Sequence, residues 1–286
     1  MRAARILLVA VVALGLSGCA APAAPSTETP AGITVNLHQT RPDLAVRKLE
    51  VAVTNGTDSV LSISRLVFES TQFAEPVSWA GSGTSIRPNV TADLPVLLPE
   101  PACGDDPVVA VVEFDYTLAD GRSGTARITP TDEFARMPEL ALEDCFDKSI
   151  TDVATIEATT APRIGTLAGA TVAQYDLTIT PTGAPGTITI DRALSAILIA
   201  PAEPATGVAG DFIPLDVTIS GTDAPSVLTL TIVANRCDVH AIAEDKRGTF
   251  LGLNVTNPDG VAGTIFIIPT DTVKESLYAF VREVCA

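Results

Sequence analysis

The chain has 286 residues and a mass of 29.6 kDa, enough for two ordinary domains, with 47% hydrophobic and 18% charged residues. That balance buries a sizeable core and excludes a disordered tail. Lys and Arg number 18 against 34 Asp and Glu, a formal charge of −16 that phosphate backbones repel, so no nucleic-acid partner is expected.

At the start of the chain, Arg2 and Arg5 precede an apolar run over 6–16, which ends in Leu16-Ser17-Gly18-Cys19. The run is about half of the roughly 20 residues that span a bilayer, so residues 1–18 read as an export signal. This four-residue end resembles the lipobox of bacterial lipoproteins, with Leu16, Ser17 and Gly18 in the three places before the cysteine. The resemblance covers the export signal alone. It implies that the Cys19 thiol receives a diacylglyceryl group and that cleavage makes Cys19 the first mature residue. The lipid bilayer is then a partner, with the body on the extracytoplasmic face of the cell membrane. Each buried CH₂ of the acyl chains contributes about 0.8 kcal/mol, so two or three chains suffice for stable anchoring. Residues 19–32, rich in Ala, Pro, Ser and Thr, read as a semi-extended tether of about 3 Å per residue.

From Ile33 the texture changes to short alternating stretches rich in Val, Ile, Leu and Thr, broken by Gly, Pro, Asn and Asp. Leu49 to Val53 alternates into Asn55-Gly56, a hairpin signal, and Leu61 to Ile63 follows. The stretch 108–116 runs into Asp120-Gly121, and Leu228 to Ile232 alternates cleanly. The spacing of the turns is that of an antiparallel sandwich.

The second half repeats the first. Residues 120–132 (DGRSGTARITPTD) match residues 259–271 (DGVAGTIFIIPTD) at eight of thirteen positions without a gap, and Ile63-Ser64-Arg65 answers Ile190-Asp191-Arg192. The expected fold is therefore all-β, with two tandem, internally duplicated Ig-like antiparallel β-sandwich domains over 33–147 and 165–286 and a linker over 148–164. Apart from Cys19, the cysteines fall as Cys103 and Cys145 in one copy and Cys237 and Cys285 in the other. Four cysteines allow three pairings, and duplication favours one disulfide in each copy, Cys103 with Cys145 and Cys237 with Cys285. A four-cysteine metal site would need close pairs, which are absent.

Near the end, Thr272-x-x-Glu275 reads as a capping box, and Val273, Leu277, Phe280, Val281 and Val284 share a helical face. The equivalent segment of copy one, with Met137-Pro138 before Leu140-Ala141-Leu142, reads as a turn followed by a strand. A short helical turn is expected after each Pro-Thr-Asp, and beyond it the pattern leaves helix and strand both open.

Chemistry is sparse. Asp238, His240 and Glu244 form the densest polar group; on a strand Asp238 and His240 would share one face, as a metal ligand set would require. Copy one has no matching histidine, so no metal or other cofactor is expected. His38 and His240 are the only imidazole bases, and neither a Gly-x-Ser-x-Gly elbow nor a phosphate-cradling loop occurs, so the chain does not read as an enzyme. Trp79 sits among small residues and suits either an anchor for an envelope protein or glycan, or a ring covering the core's edge. The reading is a membrane-anchored binding or structural module of the cell envelope. A metal or small-ligand binder using Asp238, His240 and Glu244 ranks second, and an envelope hydrolase third.

Overall fold

The computed structural model describes residues 29–286 apart from residues 105 and 244–246. Cys19, the export signal and most of the tether lie outside the described residues, and so does Glu244. The last tether residues already belong to the body: Pro30 is buried, and its carbonyl accepts the Ile33 N–H at 3.3 Å.

The first copy runs β1 (Ile33–His38), α1 (Arg41–Ala45), β2 (Lys48–Asn55), β3 (Leu61–Ser70), β4 (Val77–Ser78), β5 (Thr84–Ile86), β6 (Val90–Leu97), β7 (Ala110–Leu118), β8 (Ser123–Ile128) and α2 (Arg136–Thr151). The second runs β9 (Ala154–Glu157), β10 (Arg163–Leu167), β11 (Ala170–Pro181), β12 (Thr187–Leu194), β13 (Ile199–Pro201), β14 (Phe212–Ser220), β15 (Ser226–Ala234), α3 (Val239–Ala243), β16 (Leu251–Thr256), β17 (Ala262–Ile267) and α4 (Asp271–Cys285).

Both copies are two-sheet antiparallel sandwiches, as expected. In the first, a β1-β2-β6 sheet faces a β4-β3-β7-β8 sheet whose β5 also pairs with β3. In the second, β10-β11-β15-β13, with β9 on β11, faces β14-β12-β16-β17. Each strand turns alternate side chains inward, so Leu49, Val51 and Val53 of β2 meet Leu61, Ile63, Leu66 and Phe68 of β3 in one core. Tyr175, Leu177, Ile188, Ile190, Leu253 and Val255 fill the other. The inward set of β3 changes parity after Ile63 because a bulge leaves Ser64 unpaired, and β12 has the same shift between Ile190 and Arg192.

Asp120-Gly121 and Asp259-Gly260 close the β7–β8 and β16–β17 hairpins. Asn55-Gly56 does not close one, because β2 and β3 lie in opposite sheets and residues 56–60 carry the chain across the sandwich corner. Buried Asn55 holds that corner: its amide donates to the Ser59 and Ile86 carbonyls at 2.8 Å, and its Oδ1 accepts from the Thr57 N–H and hydroxyl.

The segment after β8 is a helix rather than a turn and strand. Pro138 is its third residue, where a missing N–H leaves no intrahelical bond unmade. The Asp132 carboxylate accepts from the Arg136 and Met137 N–H groups at 2.8 Å and caps the helix start. At the chain end α4 is a full helix that buries Val273, Leu277, Phe280 and Val281, yet its N-cap is Thr270, so Thr272 and Glu275 are not its capping box. Each closing helix is tied back to the loop after the third strand of its smaller or β15-bearing sheet, by Cys103–Cys145 (Cα–Cα 5.4 Å) and Cys237–Cys285 (5.1 Å).

Residues 148–164, expected as a linker, are built into the structure. Ile150, Val153, Ala154 and Ala158 belong to the second core, while Met137 and Leu140 at the other end of α2 belong to the first. One helix thus feeds both sandwiches.

Candidate functional site

Between α2 and the second sandwich lies a cleft of about 900 Å³. Its first wall comes from α1, the turn after it, and α2. Arg47 sits in that turn in the left-handed region (φ 50°) and grips the Asp144 carboxylate with both guanidinium nitrogens, while donating to the Pro99 carbonyl at 3.0 Å. Asp144 is buried, so this fork supplies the charge partner it needs. Arg136 donates to Gln39, Glu139 and Glu143 at 2.6–2.8 Å. Two of this wall's three arginines, Arg47 and Arg136, are therefore committed to carboxylates of α2, while the third, Arg41, lines the cleft from α1.

The second wall is β17 with Arg247 and Phe250. β17 is the end strand of its sheet, and the consecutive residues 261–264 all line the cleft. The Arg247 guanidinium lies 4.7 Å from the Phe266 ring centre and 5.8 Å from that of Phe250. The faces of these rings thus hold the cation in place. Five large apolar side chains from both walls are exposed here: Leu44 (36%), Leu142 (76%), Val261 (54%), Phe266 (51%) and Ile268 (54%).

The floor is fixed where α2 meets β17. The Phe146 ring lies so close over Gly263 that a Cβ there would stand 2.6 Å from it, and the Asn257 amide donates to the Ser149 hydroxyl at 3.0 Å. One turn along from Asp144, Asp147 exposes its side chain into the cleft. Desolvation by the protein gathered round it, and then the Asp144 and Glu143 carboxylates, push its pKa up to about 6 against the opposing pull of Arg47.

The residues singled out from sequence lie elsewhere. Residues 235–238 are not a strand, and His240 falls in the short helix α3. Asp238 turns back to accept the His240 backbone N–H at 2.9 Å and pairs with Arg236 at 3.0 Å, so its carboxylate is engaged in capping. Among the described residues no cluster of three His, Cys, Asp or Glu side chains is placed to hold a metal ion. Trp79 folds its ring over Gly81 and packs against the first core. It covers the core's edge rather than standing out as an anchor. Sequence reasoning missed the cleft residues Arg47, Asp144, Asp147, Arg247 and Phe266. The one local hint was Leu142, an apolar residue off the buried face of what proves to be a helix.

No protein-family model matches the chain, and no curated protein sequence is similar to it. Among solved structures it is similar to red sea bream transglutaminase, with 9% identity over 85% of this chain and 32% of that one, at a TM-score of 0.25. It is also similar to the Pseudomonas aeruginosa CupB2 chaperone (10%, covering 78% and 94%, TM-score 0.20) and to the YadV chaperone (11%, 77% and 92%, TM-score 0.19). The chain spans about a third of the transglutaminase's length. At such scores none of these likenesses bears on activity or partners.

Proposed function

We propose that this chain is a lipid-anchored, extracytoplasmic binding module of the cell envelope, and that the cleft between its sandwiches is the binding site. The observation that carries the reading is the cleft itself, about 900 Å³ with exposed apolar side chains from both walls. That volume is the size of an ordinary ligand site. Two disulfides support an oxidising compartment. Leu16-Ser17-Gly18-Cys19 supports anchoring through an acylated Cys19. Cys19→Ala then moves the protein from the membrane to the soluble fraction or leaves it unprocessed. A Cys19→Ala protein that stayed membrane-bound and correctly cut would overturn the anchor.

A second reading rests on Asp147. A carboxyl raised to about 6 beside two others in a cleft has the makings of a general acid, as in an envelope hydrolase. Turnover of cell-wall glycan that disappears in Asp147→Asn would favour it over binding alone.

A further inference from the structure

We infer that the cleft takes a single-chain amphiphile with an anionic head, its apolar body against Leu142, Val261, Phe266 and Ile268 and its head at Arg247. This rests on the cleft being the binding site and adds the chemistry of the ligand.

The two walls differ in how their charges are used. On the α2 side, Arg47 is locked to Asp144 and Arg136 to Glu139 and Glu143, so those cations are neutralised within the wall. Asp147 stands at the same wall and repels an anion from it. On the β17 side, Arg247 is held by ring faces, and among the described residues no carboxylate pairs with it. A chain of net charge −16 thus presents at this wall a preordered cation that no carboxylate among the described residues matches. Arg41 and Arg247 both line the cleft without a carboxylate partner among the described residues. It is Arg247 that two rings hold in place beside the apolar lining, so charge complementarity places the anionic head there.

The apolar lining decides the rest of the ligand. Single exposed apolar residues are ordinary on a surface, but five large ones, the four above and Leu44, facing one space from two sandwiches are a patch. A small polar anion would leave that patch wet. One alkyl chain covers it and takes that apolar surface out of water. The volume, about 900 Å³, holds one chain and not a bilayer surface.

Isothermal titration of the purified protein with laurate, and with uncharged dodecyl maltoside, each below its micellar concentration, tests this. Laurate is expected to bind saturably at one site, at least tenfold more tightly than the maltoside. Arg247→Gln should bring laurate down to the maltoside level, and Leu142→Asp, at a highly exposed position that folding does not use, should weaken both. Arg192→Gln, on the same sandwich but outside the cleft, should change neither. If laurate binds Arg247→Gln as tightly as the wild type while Leu142→Asp still loses binding, the anionic-head assignment is wrong and the cleft reading stands. If neither amphiphile binds, or Leu142→Asp has no effect, the cleft reading falls with it. Unchanged thermal unfolding midpoints in the variants exclude misfolding as the cause of any loss.

Discussion

Arg65 and Arg192 stand at the same place in the two copies, each just past the one-residue bulge of its strand, yet their side chains do different things. Arg65 lies across the outer face of its sheet and donates to Asp115 at 3.0 Å and Glu113 at 2.6 Å. Arg192 lies over the Phe212 ring, 4.9 Å from its centre. The backbone device was kept through duplication while the surface it presents diverged, from an ion-pair ladder in one copy to aromatic faces in the other.

The partners decide how each arginine responds to salt. Arg65 and Asp115 are both substantially exposed, so Arg65→Ala should cost no more than about 1 kcal/mol and the loss should shrink at about 1 M salt. The ring under Arg192 is uncharged, so Arg192→Ala, at about 0.5–1 kcal/mol, should be nearly independent of salt. Urea midpoints at low and high salt separate the two, and equal salt sensitivity would contradict the assigned contacts.

Asn55 has no exposed surface and satisfies two carbonyls and two donors at the corner where the chain changes sheets. Asn55→Ala leaves these groups buried and unpaired, so a loss of about 3 kcal/mol is expected, well above that for Arg65→Ala. A loss under about 1 kcal/mol in urea unfolding would show that the corner is held by packing alone.

Asn55 also shows how far the sequence could be read. Alternation announced β2 and β3 because a strand's two faces are a local property, visible residue by residue. Which strands pair is not local: Asn55-Gly56 looks like a hairpin turn, and only the shared core shows it to be a crossover. The disulfides were legible because duplication supplied an internal comparison. The cleft was not, since Arg47 and Asp144 lie 97 residues apart and nothing near either one announces the other. Likewise the helix α2 was hidden by Pro138, which breaks helices in their interior and is tolerated in their first turn.

Asp147 sets a pH dependence whose sign is opposite to that of the ordinary ion-paired carboxylates. Its carboxyl, pushed up to about 6, lies above the ordinary aspartate value of 3.8, so the folded protein holds this proton over a range where the unfolded chain has released it. The stability it contributes is full at about pH 4 and below, and is lost as the pH rises through 6. Asp176 runs the other way. Hydrogen bonds from Arg163 and then Thr229 hold it below its usual range, so its contribution is present at neutral pH and lost toward acid. Asp147→Asn should therefore raise the unfolding midpoint at pH 7 and leave it nearly unchanged at pH 4. The same shift at both pH values would mean that the carboxyl is not crowded as described.

The seat of α2 on β17 can be tested at Gly263, whose backbone any residue could adopt but whose Cβ position the Phe146 ring occupies. The ring cannot simply slide away, because the preceding residue, Cys145, is bonded to Cys103 and the following turn is anchored by Ile150 in the second core. Gly263→Ala should thus force the ring out of place at about 1–3 kcal/mol, the usual cost of overfilling a packed contact. Phe146→Ala alone loses the ring's burial. The double variant removes the clash as well, so it should be more stable than the sum of the single losses predicts by at least about 1 kcal/mol. Strict additivity in a double-mutant cycle would mean that the ring does not rest on β17, and the cleft would lose its floor.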